Sequence, residues 1–243
     1  MELTPTSTVR DMVTADFRAA AVFHLYGIDF CCGGKKTLEE ACRERNLCAS
    51  EVARAVAKAC RVPDESPRRY ADLDTAALIA HIVEVHHEYV RQAIPALVAH
   101  THKLAKSHGA RHPELLDVAI VFDSVARDMT LHMGKEEGVL FPYIASAVEA
   151  VEAGAAEPPS APFGSIDNPI RMMEEEHETA GTAMALIREL TDNYTLPDDA
   201  CTTYRICFKE LEAFERDLHV HVHLENNILF PRARALEAWG RFA

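Results

Sequence analysis

His132-Met133-Gly134-Lys135-Glu136-Glu137-Gly138-Val139-Leu140-Phe141-Pro142 decides the fold, because its frame returns as His221-Val222-His223-Leu224-Glu225-Asn226-Asn227-Ile228-Leu229-Phe230-Pro231. The offset is 221 − 132 = 89 residues. His87-Glu88 returns as His177-Glu178 at 177 − 87 = 90. A histidine and a glutamate four residues apart lie one helical turn apart and project from one face. The repeat therefore reads as two related helical hairpins.

Outward from these stretches, four long segments carry apolar residues every three or four positions. The first runs Ala76, Ala80, Val83, His87, Val90, Ile94, Leu97, and Pro95 is expected to kink it. The second runs Leu115, Val118, Phe122, Val125, Met129, His132, Glu136, Leu140. The third runs Ile170, Met173, His177, Ala180, Met184, Ile187, and the fourth Tyr204, Cys207, Leu211, Phe214, Leu218, His221, Glu225, Ile228. Modest polar connections between them give an up-down-up-down four-helix bundle over 73–243. No alternating β-branched run suggests a strand, so the chain is expected to be all-α. Residues 1–62 read as a small helical domain of short helices. In it Thr37-Leu38-Glu39-Glu40 has the form of a capping box and Ser50 is placed to cap the segment after it. Residues 63–72, polar and proline-bearing, read as a linker.

A histidine sits on the apolar stripe of each long helix, and two stripes also carry a glutamate. An unpaired polar group in a core costs on the order of 1–3 kcal/mol, and a carboxylate more unless its charge is compensated. The histidines fall at 87, 132, 177 and 221, with separations of 45, 45 and 44 that return an antiparallel chain to the same height. His87, His132, Glu136, His177, His221 and Glu225 should therefore converge on one point. Their nitrogens and carboxylates suit first-row transition metals, iron and manganese above others. They are too many for one ion that keeps a reactive position, and they suit two. With both glutamates bridging and an oxo or hydroxo bridge, about ten of about twelve positions around two octahedral irons are filled. His81, His86, His219 and His223 lie off the stripes and are left out, although His219 and His223 form a competing four-residue pair. Asp128 and Asp217 each precede a stripe histidine by four residues, as acceptors of its second ring N–H or as solvated surface charges. Glu174 and Glu176 stand near an iron or proton path, or begin a solvated helix.

The 243 residues carry 38 acidic and 25 basic side chains, a net charge of −13. That surplus argues against nucleic acid and anionic membrane surfaces as partners. No stretch approaches the roughly 20 apolar residues of a membrane span, and the first residues lack the pattern of a secretion signal. A cytoplasmic protein with reduced thiols is expected, since the seven cysteines are odd in number.

Asp29-Phe30-Cys31-Cys32-Gly33-Gly34-Lys35-Lys36-Thr37-Leu38-Glu39-Glu40-Ala41-Cys42, followed by the doubled His-x-x-x-Glu-x-x-x-Leu-Phe-Pro, resembles the iron–sulfur cluster repair di-iron proteins, of which ScdA, YtfE and NorA are types. The resemblance covers nearly the whole chain, and the bundle part resembles hemerythrin. It implies iron ligands at His87, His132, Glu136, His177, His221 and Glu225, with Glu136 and Glu225 bridging. Hemerythrin-like oxygen carriers have an additional histidine; no stripe histidine here supplies it, which implies a more open centre. The implied function is repair of iron–sulfur clusters damaged by nitrosative or oxidative stress. Nitric oxide would be bound or reduced to nitrous oxide at two irons, or an iron donated stoichiometrically. The alternative is a non-catalytic nitric oxide or dioxygen scavenger or sensor. Damaged iron–sulfur proteins are the implied partners, and a homodimer is compatible with exposed thiols. For Cys31 and Cys32 the resemblance implies a redox, partner-contact or metal-transfer role, beside the plain reading of a buried packing thiol.

Overall fold

Short helices begin in the N-terminal part wherever a side chain satisfies a free amide. The computed structural model describes residues 7–60, 70–155 and 159–239. Thr8 accepts from the Asp11 amide (3.2 Å) at the start of α1 (Val9–Ala15). After α2 (Arg18–Leu25), Gly27 turns the chain at φ +63°. Thr37 and Glu40 form the expected capping box of α3 (Leu38–Glu44). The next helix, α4 (Ala49–Ala59), starts two residues ahead of expectation: Cys48 is its cap residue and Ser50 lies inside the first turn. Val9, Met12, Phe23, Leu38, Val52 and Val56 close a core beneath these helices. Of the linker expected at 63–72, residues 63–69 lie outside the described residues, and Tyr70–Asp72 form a 3₁₀ turn.

By contacts the chain groups into two compact units, and their divisions do not follow the linear order of the sequence. One draws on Met1–Ala80, Ala147–Pro159 and His219–Ala243, the other on His81–Ser146 and Ser160–Leu218. In the second unit the rods are α6 (Glu88–His108), α7 (Glu114–Lys135), α9 (Asp167–Leu190) and the first part of α10 (Thr202–Leu224). Pro95 sits inside α6 without ending it. Phe122 of α7 meets Phe214 of α10 edge to face, ring centres 5.4 Å apart. Buried Glu215 is held by Arg188 (Nη2 at 2.6 Å) and by the Tyr194 hydroxyl (2.9 Å). Among the described residues there is no strand, only an isolated bridge between Thr8 and Thr37. The fold is all-α, and no described helix is long and apolar enough to cross a membrane.

Three stretches of these rods leave α-geometry for π-turns: Ile82–His87 after α5 (Thr75–His81), Glu136–Leu140 after α7, and Glu225–Leu229 after α10. The apolar spacing of the sequence carries no sign of them. Each closes with a bond five residues back: the Phe141 amide donates to the Glu136 carbonyl, and the Phe230 amide to the Glu225 carbonyl. A proline follows the second and the third, at the head of α8 (Phe141–Glu152) and of α11 (Phe230–Trp239). Proline removes an amide and crowds the carbonyl four residues back, and the wider turn relieves that crowding. Leu140 and Phe141 in one unit, and Leu229 and Phe230 in the other, are all buried.

Candidate metal centre

Glu136 opens its π-turn with its side chain wholly buried. In the second unit, each of its oxygens faces a different histidine. Oε2 lies 3.3 Å from His87 Nε2, which closes the first π-turn, and Oε1 lies 3.3 Å from His132 Nε2, one helical turn back. His177 of α9 brings its Nε2 to 2.9 Å from His132 Nε2. His87, His132, Glu136 and His177 are thus assembled from three helices, each no more than 1% exposed.

The orientation of the rings is fixed from behind. His87 Nδ1–H donates to Glu137 Oε1 (2.6 Å), and Arg91 donates to the same carboxylate. His132 Nδ1–H donates to Glu176 Oε2 (2.9 Å), and Lys135 donates to Oε1 of that residue. A carboxylate only accepts, so the proton of each neutral ring sits on Nδ1 and the Nε2 lone pair points at Glu136. Burial pushes Glu176 upward, but Lys135 and His132 outweigh it and hold its carboxyl below the usual range. Two cation–carboxylate–histidine chains therefore stand behind two ring nitrogens, an arrangement that sets tautomer and basicity for metal binding. A cavity of about 170 Å³ reaches His132 past Lys135, Glu176 and Asp128.

The fit to metal ions follows from these separations. Ligand atoms about 2.1 Å from one ion at right angles lie about 3.0 Å apart. The 3.3, 3.3 and 2.9 Å contacts are of that size. Two lone-pair nitrogens flanking the two oxygens of one carboxylate suit a pair of ions bridged by it.

In the first unit, His221 Nε2 and Glu225 Oε1 lie 3.1 Å apart, both wholly buried. Glu225 opens its own π-turn, as Glu136 does. His219 and His223, the competing pair, turn toward the N-terminal helices: Phe30 meets His219 and His223 edge-on at 5.9 Å each. Burial pushes His223 down to about 4, so it stays neutral there. Asn227 Nδ2 donates to the Phe30 carbonyl (3.2 Å) and the Cys31 carbonyl (3.3 Å). In that turn Cys31 is buried and Cys32 half-buried, with sulfurs 3.9 Å apart.

Of the remaining candidates, Asp217 holds buried His86 at Nδ1 (2.9 Å), and exposed Asp128 bonds Ser124 and Arg127. Glu176 is the acceptor behind His132. Glu137, the acceptor behind His87, escaped the sequence reading; its only signal was adjacency to Glu136.

Residues 78–233 match the family described as Hemerythrin HHE cation binding domain, and residues 5–60 match ScdA_N, a domain of unknown function. Iron-sulfur cluster repair protein YtfE of Musicola paradisiaca is 36% identical over 91% of this chain and 93% of its own length. Proteins of the same name from Citrobacter koseri and Escherichia coli O81 are 33% and 34% identical, each over 90% of this chain and 93% of theirs. The chain belongs to the iron–sulfur cluster repair protein family. The cation-binding domain match spans the four rods, and the ScdA_N match spans the short helices on either side of the Cys31-Cys32 turn.

Proposed function

We propose that this protein repairs iron–sulfur clusters damaged by nitrosative or oxidative stress, working in the cytoplasm through two irons held by His87, His132, Glu136, His177, His221 and Glu225. The observation that carries the reading is Glu136, a buried carboxylate with a different histidine nitrogen at each oxygen. Support for His221 and Glu225 as the second half is the 89-residue repeat, the shared one-turn spacing, complete burial and the matching π-turn. In this reading Glu225 is the second bridge.

The iron pair, when bound, supplies ferrous sites that take nitric oxide avidly and a labile iron for donation. The chain's own residues do the rest. Glu136 and Glu225 offset the ionic charge in a core that would otherwise bear it at several kcal/mol. Glu137 and Glu176 keep the His87 and His132 protons on Nδ1 and so keep Nε2 available. Lys135 and Glu176 line the cavity beside His132, whose volume of about 170 Å³ has room for a diatomic ligand. The apolar walls from Phe141 and Met129 limit water in the site.

Metal analysis with Mössbauer spectroscopy on the as-isolated protein tests the centre: about two coupled irons per chain are expected, and one iron or none overturns it. Rebuilding of a damaged cluster with the loaded protein as sole iron source tests repair. Anaerobic nitric oxide added to the reduced protein separates turnover, seen as nitrous oxide, from a stable nitrosyl of a scavenger.

A further inference from the structure

The turn that carries Cys31 and Cys32 is built around one carboxylate. Asp29 Oδ1 accepts from the amides of Cys31 (2.9 Å) and Cys32 (3.0 Å), and Oδ2 from that of Gly33 (2.8 Å). Gly34 permits the tight closure, since a Cβ there would fall 2.4 Å from the Phe30 carbonyl oxygen. The backbone is thus spent on holding Asp29 against the two thiols. The Cys31 thiol donates to Oδ1 at 3.1 Å, and the Cys32 sulfur lies 3.9 Å from that of Cys31. Two sulfurs each about 2.3 Å from one tetrahedral ion lie about 3.8 Å apart. The three donors lie within 4.8 Å of one another, and their burial is graded: Cys31 buried, Cys32 half-buried, Asp29 exposed.

We propose that Asp29, Cys31 and Cys32 form a second, mononuclear metal site for a thiophilic divalent ion of the zinc and ferrous class. Two thiolates and a carboxylate suit such an ion, and three protein ligands leave a fourth position on the exposed side for water or an exchanging ligand. Binding replaces the thiol proton now lying between Cys31 and Asp29. Both thiols lose their protons to solvent, two per ion taken up, and no electron is transferred. Affinity therefore rises with pH. Asn227, by holding the Phe30 and Cys31 carbonyls, positions the turn before the ion arrives. The site is independent of the iron reading above.

The test is a titration of the full chain, already loaded with iron and kept anaerobic with a phosphine reductant, with Co²⁺. About one further equivalent should bind with a sulfur-to-cobalt charge-transfer band in the near ultraviolet, and one equivalent of Zn²⁺ should abolish it. Cys32→Ser and Cys31→Ser should each remove the band while retaining iron and helicity. Asp29→Asn, which keeps the amide bonds at Oδ1, should weaken binding about tenfold. Cys48→Ser and Cys201→Ser should leave the titration unchanged. Absence of a thiolate band in the native chain, its survival in Cys32→Ser, or its loss only with Cys48 or Cys201 overturns the proposal.

Discussion

The two copies of the His-x-x-x-Glu stretch keep one frame and part company immediately after the glutamate. Glu137-Gly138 follows Glu136, whereas Asn226-Asn227 follows Glu225. In the first copy the extra residue of the π-turn presents Glu137 to His87 Nδ1, and Gly138 faces open space. In the second, Asn227, the equivalent of Gly138, reaches the carbonyls of the cysteine turn. A duplicated backbone device has thus been given two tasks: one copy orients the buried His87 ring, the other anchors the segment bearing the vicinal thiols. The wide turn makes both possible, because it rotates the residues after the glutamate by about one helical position without moving the glutamate itself.

The comparison can be broken most directly at the glutamates. If the copies contribute equivalent bridges, Glu136→Ala and Glu225→Ala should each reduce iron from about two per chain to nearly none, read by metal analysis. Retention of iron in one but not the other would show the halves to be unequal. Glu137→Gln should lower iron affinity by about 10–100-fold in a chelator competition, because Gln also offers a donor to Nδ1 and no longer fixes the His87 tautomer. Asn226→Ala, at the equivalent place in the second copy, should leave affinity within about twofold. Asn227→Ala should cost about 1–3 kcal/mol in denaturant unfolding, since two carbonyls lose a donor, with iron content intact. Gly138→Ala, its counterpart, should be neutral or stabilising by up to about 1 kcal/mol, since nothing lies within 4 Å of the added methyl.

The smallest effect is expected at Cys207, whose counterpart at 207 − 89 is Val118, both buried. Burial pushes the Cys207 thiol up to about 12. The unfolded thiol ionises near its ordinary value of 9, so between about 9 and 12 the folded state holds the extra proton and this group's contribution to stability falls as pH rises. Alkylation at pH 9 should therefore leave Cys207 unmodified in the folded chain, read by mass spectrometry. Cys207→Val should shift stability by less than about 1.5 kcal/mol.

Much of the rod architecture was legible because apolar spacing at a 3.6-residue period is a local property of sequence, as Leu115-Val118-Phe122-Val125-Met129 shows. The Thr37–Glu40 capping box was legible for the same reason, its partners being three residues apart. Ser50 was misread because two competing starts differ by only two residues, and the chain took the one at Ala49. Off-stripe position was a poor guide to burial: buried His86 meets Asp217 and buried His223 meets Phe30, partners 131 and 223 − 30 = 193 residues distant in sequence. Glu215 shows the reverse error available to a stripe argument, a buried glutamate satisfied by Arg188 and Tyr194 with no metal to explain.

The sequence by itself determined four amphipathic rods, the doubled one-turn pairing of histidine with glutamate, and the short capped helices ahead of them. All of these depend on neighbours within a few residues. Only the tertiary structure decided which oxygen of Glu136 meets which ring, that Glu137 and Glu176 stand behind His87 and His132, and that Asp29 gathers two thiols held in place by Asn227. Those choices depend on hydrogen-bond geometry across tens to hundreds of residues, where a shift of one residue in a π-turn redirects a side chain completely.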